Sequence, residues 1–313
     1  MDPERSSTQK HLFLRIFLSP DEPRLRTGWR LLLHTLLLGL ITSILLLALL
    51  FMPVSIEGTI FETNLLSLVI EFVSIGSATW LARRFVDRRS FLSLGFALTR
   101  QAWMDLVIGF AIPGLLMGLV FTLELSLGWT TFERWAWQGA SLVDVLIGMS
   151  SGLIAFILVG FSEEILSRGY HLQNLKDGLG LGWALLLSSL IFAWMHTANP
   201  NSSWISMLGI LLAGYFLAYG WVRTGQLWLS IGLHIGWNFF EGNVFGFPVS
   251  GLSTFRLIEH HPTGPSLITG GAFGPEAGII ILPAMALGLL LIHSYTRRTR
   301  GQSKPTPSST PLI

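Results

Sequence analysis

The chain contains no cysteine, which excludes disulfides, thiolate nucleophiles and sulfur-ligated metal sites. Charge is also scarce: Asp, Glu, Lys and Arg together make up 12% of 313 residues, about half the share usual in a soluble domain. There is no HExxH, the motif that puts two metal-binding imidazoles on one helical face. No similarity between the two halves is evident, which argues against a transporter built from repeats. No cleavable leader is expected either, because the first long apolar run begins only at Leu31, behind a basic stretch, and is too long for the core of a signal peptide. The net charge of +2 gives no reason to expect a nucleic-acid partner.

What is abundant is apolar: 51% of the residues are hydrophobic and the mean hydropathy is +0.59. Apolar runs long enough to cross a bilayer as helices recur along the chain. The expected fold is an all-α polytopic membrane protein with eight spans, at 31–52, 65–82, 106–128, 142–172, 183–198, 203–222, 226–244 and 276–294. Residues 1–30 form a basic leader, 31–294 a single transmembrane domain, and 295–313 a tail expected to be disordered. Placing both termini in the cytoplasm puts 18 of the 20 Lys and Arg in inner segments, leaving only Arg134 and Arg256 outside. The loop 245–275, rich in Gly, Pro, Ser and Thr, reads as a tolerated insertion rather than a flap.

Three polar constellations interrupt this pattern. Glu163, Glu164 and Arg168 lie in GFSEEILSRGY, residues 160–170; His196 ends Phe192-Ala-Trp-Met-His196; and His234 and Asn238 bracket His234-Ile-Gly-Trp-Asn238. Ionisable groups at membrane depth are costly and are candidates for function. Glu164 and Arg168 are four apart, acid before base, and share a helical face as a structural ion pair. Glu163 is turned about 100° away and has no local partner. With spans ending near residues 173, 183 and 226, the helical rise places Glu163, His196 and His234 about 15, 20 and 12 Å from the inner surface, a common depth. This requires the fourth helix to continue past its charges to about residue 172.

A carboxylate, two imidazoles and an amide meeting in a low-dielectric pocket suit hydrolysis. Glu163 can take a proton from water and return it to a leaving amine. His234 and Asn238 can donate hydrogen bonds to an oxyanion, and His196 can orient the water or bind a metal. Taken one at a time, an intramembrane His or Asn is as readily a hydrogen-bonded brace between helices; it is the set that points to chemistry.

The motifs EExxxR, FxxxH and HxxxN, standing at 163–168, 192–196 and 234–238, resemble those of the type II CAAX prenyl endopeptidase and bacteriocin-processing family, also called abortive-infection-like. The resemblance covers about residues 142–244. It implies an eight-helix intramembrane endopeptidase, with Glu163 activating water, His196 assisting, His234 and Asn238 on the oxyanion side, and Glu164 with Arg168 holding the site together. Its substrate would be a peptide or protein at the bilayer, lipidated in the CAAX-processing members, and the short loops fit a prokaryotic plasma membrane. No cofactor is favoured; zinc held by Glu163, His196 and His234 is the alternative.

Two further readings remain open: a proton- or ion-coupled transporter using the Glu-His-His-Asn cluster, and a non-catalytic immunity or scaffold protein on the same fold. Outside the three motifs, Glu71 in the second span is expected to have a structural partner. His34 and Asp105 are expected at an interface, Glu124 within reach of water, and His260 and His261 in solvent. Phe192 and Trp194 read as packing residues and Trp237 as a pocket wall.

Overall fold

The computed structural model describes residues 16–19, 22, 24–51 and 60–300. Five of the expected spans are helices long and apolar enough to cross a membrane: Thr27–Leu49, Leu65–Val86, Arg100–Ser126, Leu142–Leu179 and Trp204–Thr224. In chain order the long helices are α1 (Thr27–Leu50), α2 (Ile60–Leu81), α3 (Arg100–Ser126), α4 (Leu142–Glu164), α5 (Leu172–Leu179), α6 (Leu181–Met195), α7 (Trp204–Thr224) and α8 (Trp228–Asn238). A short helix, α9 (Ser266–Thr269), precedes the last one, α10 (Ile281–Arg300). Many large apolar side chains on α1 to α4 face outward, among them Leu36, Leu40, Leu115 and Leu146, as lipid contact requires.

The other three expected spans depart from the sequence reading. The segment 183–198 is α6, only 15 residues long, and His196 caps its end rather than lying inside it. The segment 226–244 is α8 followed by a π-helical turn, Phe239–Val244. Every residue of α8 from Leu229 to Asn238 is buried, so this helix packs against protein on all sides and need not match the hydrocarbon thickness. The last span begins at Ile281, not at residue 276, and its helix runs on to Arg300, into the segment expected as a tail. Residues 1–15 and 301–313, the ends of the expected leader and tail, lie outside the described residues.

The fold is not purely helical. A two-stranded antiparallel sheet joins β1 (Thr130–Trp135) to β2 (Ile258–Pro262), pairing Thr130 with Pro262 and Trp135 with Ile258 around a bulge. This sheet ties the connection between α3 and α4 to the 245–275 segment, which is therefore built into the fold rather than inserted as spare loop. Phe247, Val249, Ile258 and Phe273 from that segment are buried.

Local chemistry accounts for the element that matters most, α4. Ser141 and Asp144 form a capping box: Ser141 Oγ accepts from the Asp144 amide at 3.2 Å and Asp144 Oδ2 from the Ser141 amide at 3.3 Å. At the far end the chain does not stop at the charges. It passes through a π-helical segment, Ile165–His171, directly into α5, so the helix continues past Glu163 as the depth argument requires.

Helix α8 reaches the centre of the bundle by close backbone approach. Gly232 and Gly236 are four apart, and a Cβ on either would collide with a carbonyl of α3, that of Leu106 or Phe110. Small residues at this spacing let two helix backbones touch.

Candidate active site

The structure brings all three constellations to one cavity of about 330 Å³, lined by Glu163 from α4, Phe192 and His196 from the end of α6, and His234 and Asn238 from α8. Glu163 Oε2 lies 3.9 Å from His196 Nε2 and 3.7 Å from His234 Nε2. These gaps are too long for direct hydrogen bonds and of the size one bridging water spans. Glu163 Oε2 is buried and receives no protein hydrogen bond. The carboxylate the sequence leaves without a local partner is thus turned toward the two imidazoles.

The adjacent glutamate is held through one oxygen, Oε1, while its Oε2 is buried without a hydrogen bond. Glu164 Oε1 accepts from Arg168 Nη1 at 2.6 Å and from His234 Nδ1 at 2.8 Å. Arg168 also donates to the Gly214 carbonyl at 3.0 Å and sits 4.3 Å above the Phe192 ring, a cation–π contact in a desolvated setting. The expected Glu164–Arg168 pair is present, and it holds more than itself: it anchors α4, α7 and α8 together and orients the His234 ring. Phe192, expected only to pack, forms the floor under Arg168 and stands 4.7 Å from the His196 ring and 6.1 Å from that of His234.

Hydrogen-bond chemistry fixes both tautomers. His196 Nδ1 lies 2.8 Å from the Phe192 carbonyl; a carbonyl only accepts, so Nδ1 carries the proton and Nε2 is left as a lone pair when the ring is neutral. His234 Nδ1 faces a carboxylate already paired with Arg168, so there too Nδ1 donates and Nε2 is free. Both Nε2 atoms face Glu163 Oε2. Asn238, one helical turn beyond His234, adds an amide to the same wall. Among the described residues, no group of three or more His, Cys, Asp or Glu side chains is arranged to hold a metal ion.

Several residues fall elsewhere than their sequence context suggests. His34 is fully buried, with Nε2 3.1 Å from Thr79 Oγ1 and its ring stacked 4.0 Å from Tyr170. Asp105 is fully buried and pairs with Arg300 at 2.6 Å and Tyr295 at 2.8 Å. Glu124 is buried rather than exposed, and lines a cavity of about 90 Å³. His260 is buried with Nδ1 2.6 Å from Thr130 Oγ1, while His261 is exposed. Trp194 is 72% exposed and faces outward rather than packing inside, whereas Trp237 does line the cavity.

Glu71 also lines the cavity, and Met195 and Glu71 line in addition a neighbouring apolar cavity of about 650 Å³ between α1, α2 and α6. The residues missed by sequence reasoning are Ser250 and Glu276. Glu276 Oε2 accepts from the amide and hydroxyl of Ser250 at 2.8 and 2.6 Å, and Oε1 from Trp237 Nε1 at 3.2 Å. Neither sits in a periodic pattern, and Glu276 falls where an apolar span was expected to start.

Fold and site together define a polytopic helical membrane protein with a carboxylate, two imidazoles and an amide gathered within its helices. Residues 146–240, which hold all three motifs, match the family described as Type II CAAX prenyl endopeptidase Rce1-like, the family the motifs resemble. The chain is also similar to the uncharacterized protein YyaK of Bacillus subtilis (strain 168), 26% identical over 168 residues. That match covers 51% of this chain and 54% of YyaK, about half the length of each. No solved structure matches the chain.

Proposed function

We propose that the protein is an intramembrane endopeptidase that hydrolyses a peptide bond of a membrane-associated peptide or protein. The observation that carries this reading is the free Glu163 Oε2 facing two imidazole lone pairs at 3.7 and 3.9 Å. A water held there donates one hydrogen to Glu163 and the other to an Nε2. As Glu163 takes its proton, the water oxygen attacks the scissile carbonyl; the protonated Glu163 then returns that proton to the leaving amine. His196, its ring fixed by the Phe192 carbonyl, orients the water. The Asn238 amide can donate to the developing oxyanion as it stands, and His234 Nε2 can do so when the ring carries a second proton. Glu164 and Arg168 keep the His234 ring in place.

The water activation proposed here rests on the protein's own groups. Glu163, His196 and His234, the zinc set expected from the sequence, are not arranged as a metal site as they stand; zinc bound there would polarise the carbonyl and the water. In this reading both termini lie in the cytoplasm, the substrate comes from the bilayer or its surface, and lipidation of the substrate is not required by the cavity. The alternative, a proton- or ion-coupled transporter, uses the same buried groups as a relay. The protein in lipid nanodiscs should cleave a quenched-fluorescent apolar peptide, and both Glu163→Ala and His196→Ala should abolish cleavage. Cleavage at the wild-type rate in both variants, or proton flux without cleavage, would reject the assignment.

A further inference from the structure

The 245–275 segment supplies Val249, Ser250, Leu252 and Thr254 to the lining of the same cavity. Its tip is a tight turn: the Val249 amide donates to the Leu252 carbonyl at 2.9 Å and the Leu252 amide to the Val249 carbonyl at 2.8 Å. The two residues between them, Ser250 and Gly251, both have positive φ, 47° and 84°, the conformation of a two-residue hairpin turn. That backbone is unfavourable for serine and persists only where its surroundings over-determine it.

They do so here. Ser250 gives its amide and hydroxyl to the buried Glu276 carboxylate, at 2.8 and 2.6 Å, and its carbonyl accepts from Asn199 Nδ2 at 2.9 Å. The Gly251 amide donates to the Phe273 carbonyl at 2.7 Å, and a Cβ on Gly251 would collide with the Pro200 carbonyl. Glu276 is itself pinned from the other side by Trp237 Nε1 at 3.2 Å and lies against α7, where its carbonyl leaves no room for a Cβ on Gly209. Moving the turn would strip donors from a buried carboxylate, a costly change. The turn is therefore a rigid wall, and its Val249 and Leu252 line the cavity together with the apolar Phe156 and Trp237, beside the polar groups of the site.

We propose that the Val249–Leu252 turn is the specificity wall of the cavity, limiting the size of the apolar substrate side chain beside the scissile bond, with Glu276 as the positioning residue that holds it. The cleavage arm of its test rests on the endopeptidase reading; the binding arm does not. Two quenched-fluorescent apolar peptides, identical except for alanine or phenylalanine at one site flanking the cleaved bond, serve as probes, each of the flanking positions being tried. Binding is measured on nanodisc protein carrying Glu163→Gln, and cleavage on protein with Glu163 intact.

Shortening the wall with Val249→Ala should shift the preference toward the phenylalanine peptide about tenfold, the scale of a one- or two-carbon change in an apolar pocket. Glu276→Gln, which replaces an acceptor oxygen by a donor, should raise KM about tenfold with kcat within about threefold and narrow the preference, with Glu276→Asp in between. A merely structural role would lower the active fraction and leave KM and the preference unchanged. If Glu276→Gln does not fold, Val249→Ala decides alone. Cleavage with a preference unchanged within about twofold overturns this inference and leaves the enzyme reading standing. A shifted binding preference without cleavage does the reverse, and no saturable binding of any probe overturns both.

Discussion

Nδ1 of His234 lies 2.8 Å from Oε1 of Glu164, the oxygen that also takes Nη1 of Arg168 at 2.6 Å. All three side chains are buried. Glu164→Gln keeps the shape but strands the Arg168 charge, and breaking a buried pair from one side costs about 3–5 kcal/mol. Thermal unfolding in detergent should show this loss for Glu164→Gln. The double variant Glu164→Gln with Arg168→Met, which leaves no stranded charge, should recover more than half of it. A double variant no more stable than the single one would mean that the pair is not the brace described.

The contact between α3 and α8 depends on glycine. Gly236→Ala must push the helices apart, because its Cβ would meet the Phe110 carbonyl, and overpacking of this kind costs about 1–3 kcal/mol. Gly39→Ala on α1, where nothing lies within 4 Å, should be neutral or stabilising by up to about 1 kcal/mol. Equal melting shifts for the two would argue against a close-packed seam.

Acid should destabilise the fold through His260. Burial, then the nearby Arg256 charge, holds this imidazole down to about 4, below its usual 6.5. Between these values the unfolded chain binds a proton that the folded one refuses, so stability is present above pH 6.5 and lost as the pH falls toward 4. The loss should be on the order of 1–3 kcal/mol. His260→Gln, with no titrating ring, should flatten the slope of melting temperature against pH in that range. An unchanged slope would place the acid sensitivity elsewhere.

Much of the site was legible because helical spacing is rigid. Four residues separate Glu164 from Arg168 and His234 from Asn238, so each pair had to share a face, and the rise per residue set Glu163, His196 and His234 at one depth. What spacing could not supply is the partner of a partner. That Glu164 serves His234 as well as Arg168, and that Phe192 lies beneath the guanidinium, depends on how α4, α6 and α8 turn toward one another. Ser250 and Glu276 were hidden for a related reason: they meet through an irregular segment without period, where side-chain direction cannot be read from sequence. The short sheet was missed because its strands, 130–135 and 258–262, are far apart in the sequence, and neither strand alternates cleanly.

Metal removal separates the two ways of activating water. Exhaustive chelation should leave peptide cleavage within about twofold of the untreated rate if Glu163 acts without zinc. A loss of two orders of magnitude or more, reversed by added zinc, would instead make Glu163, His196 and His234 a ligand set.

The central claim is that Glu163, not Glu164, activates water. Single-turnover cleavage of a quenched apolar peptide by nanodisc-embedded Glu163→Gln, whose thermal stability matches the wild type, tests it most directly. The rate should fall by about 10²–10⁴, the contribution of a positioned general base, with peptide affinity within about threefold. Cleavage by folded Glu163→Gln within about fivefold of the wild-type rate would contradict it.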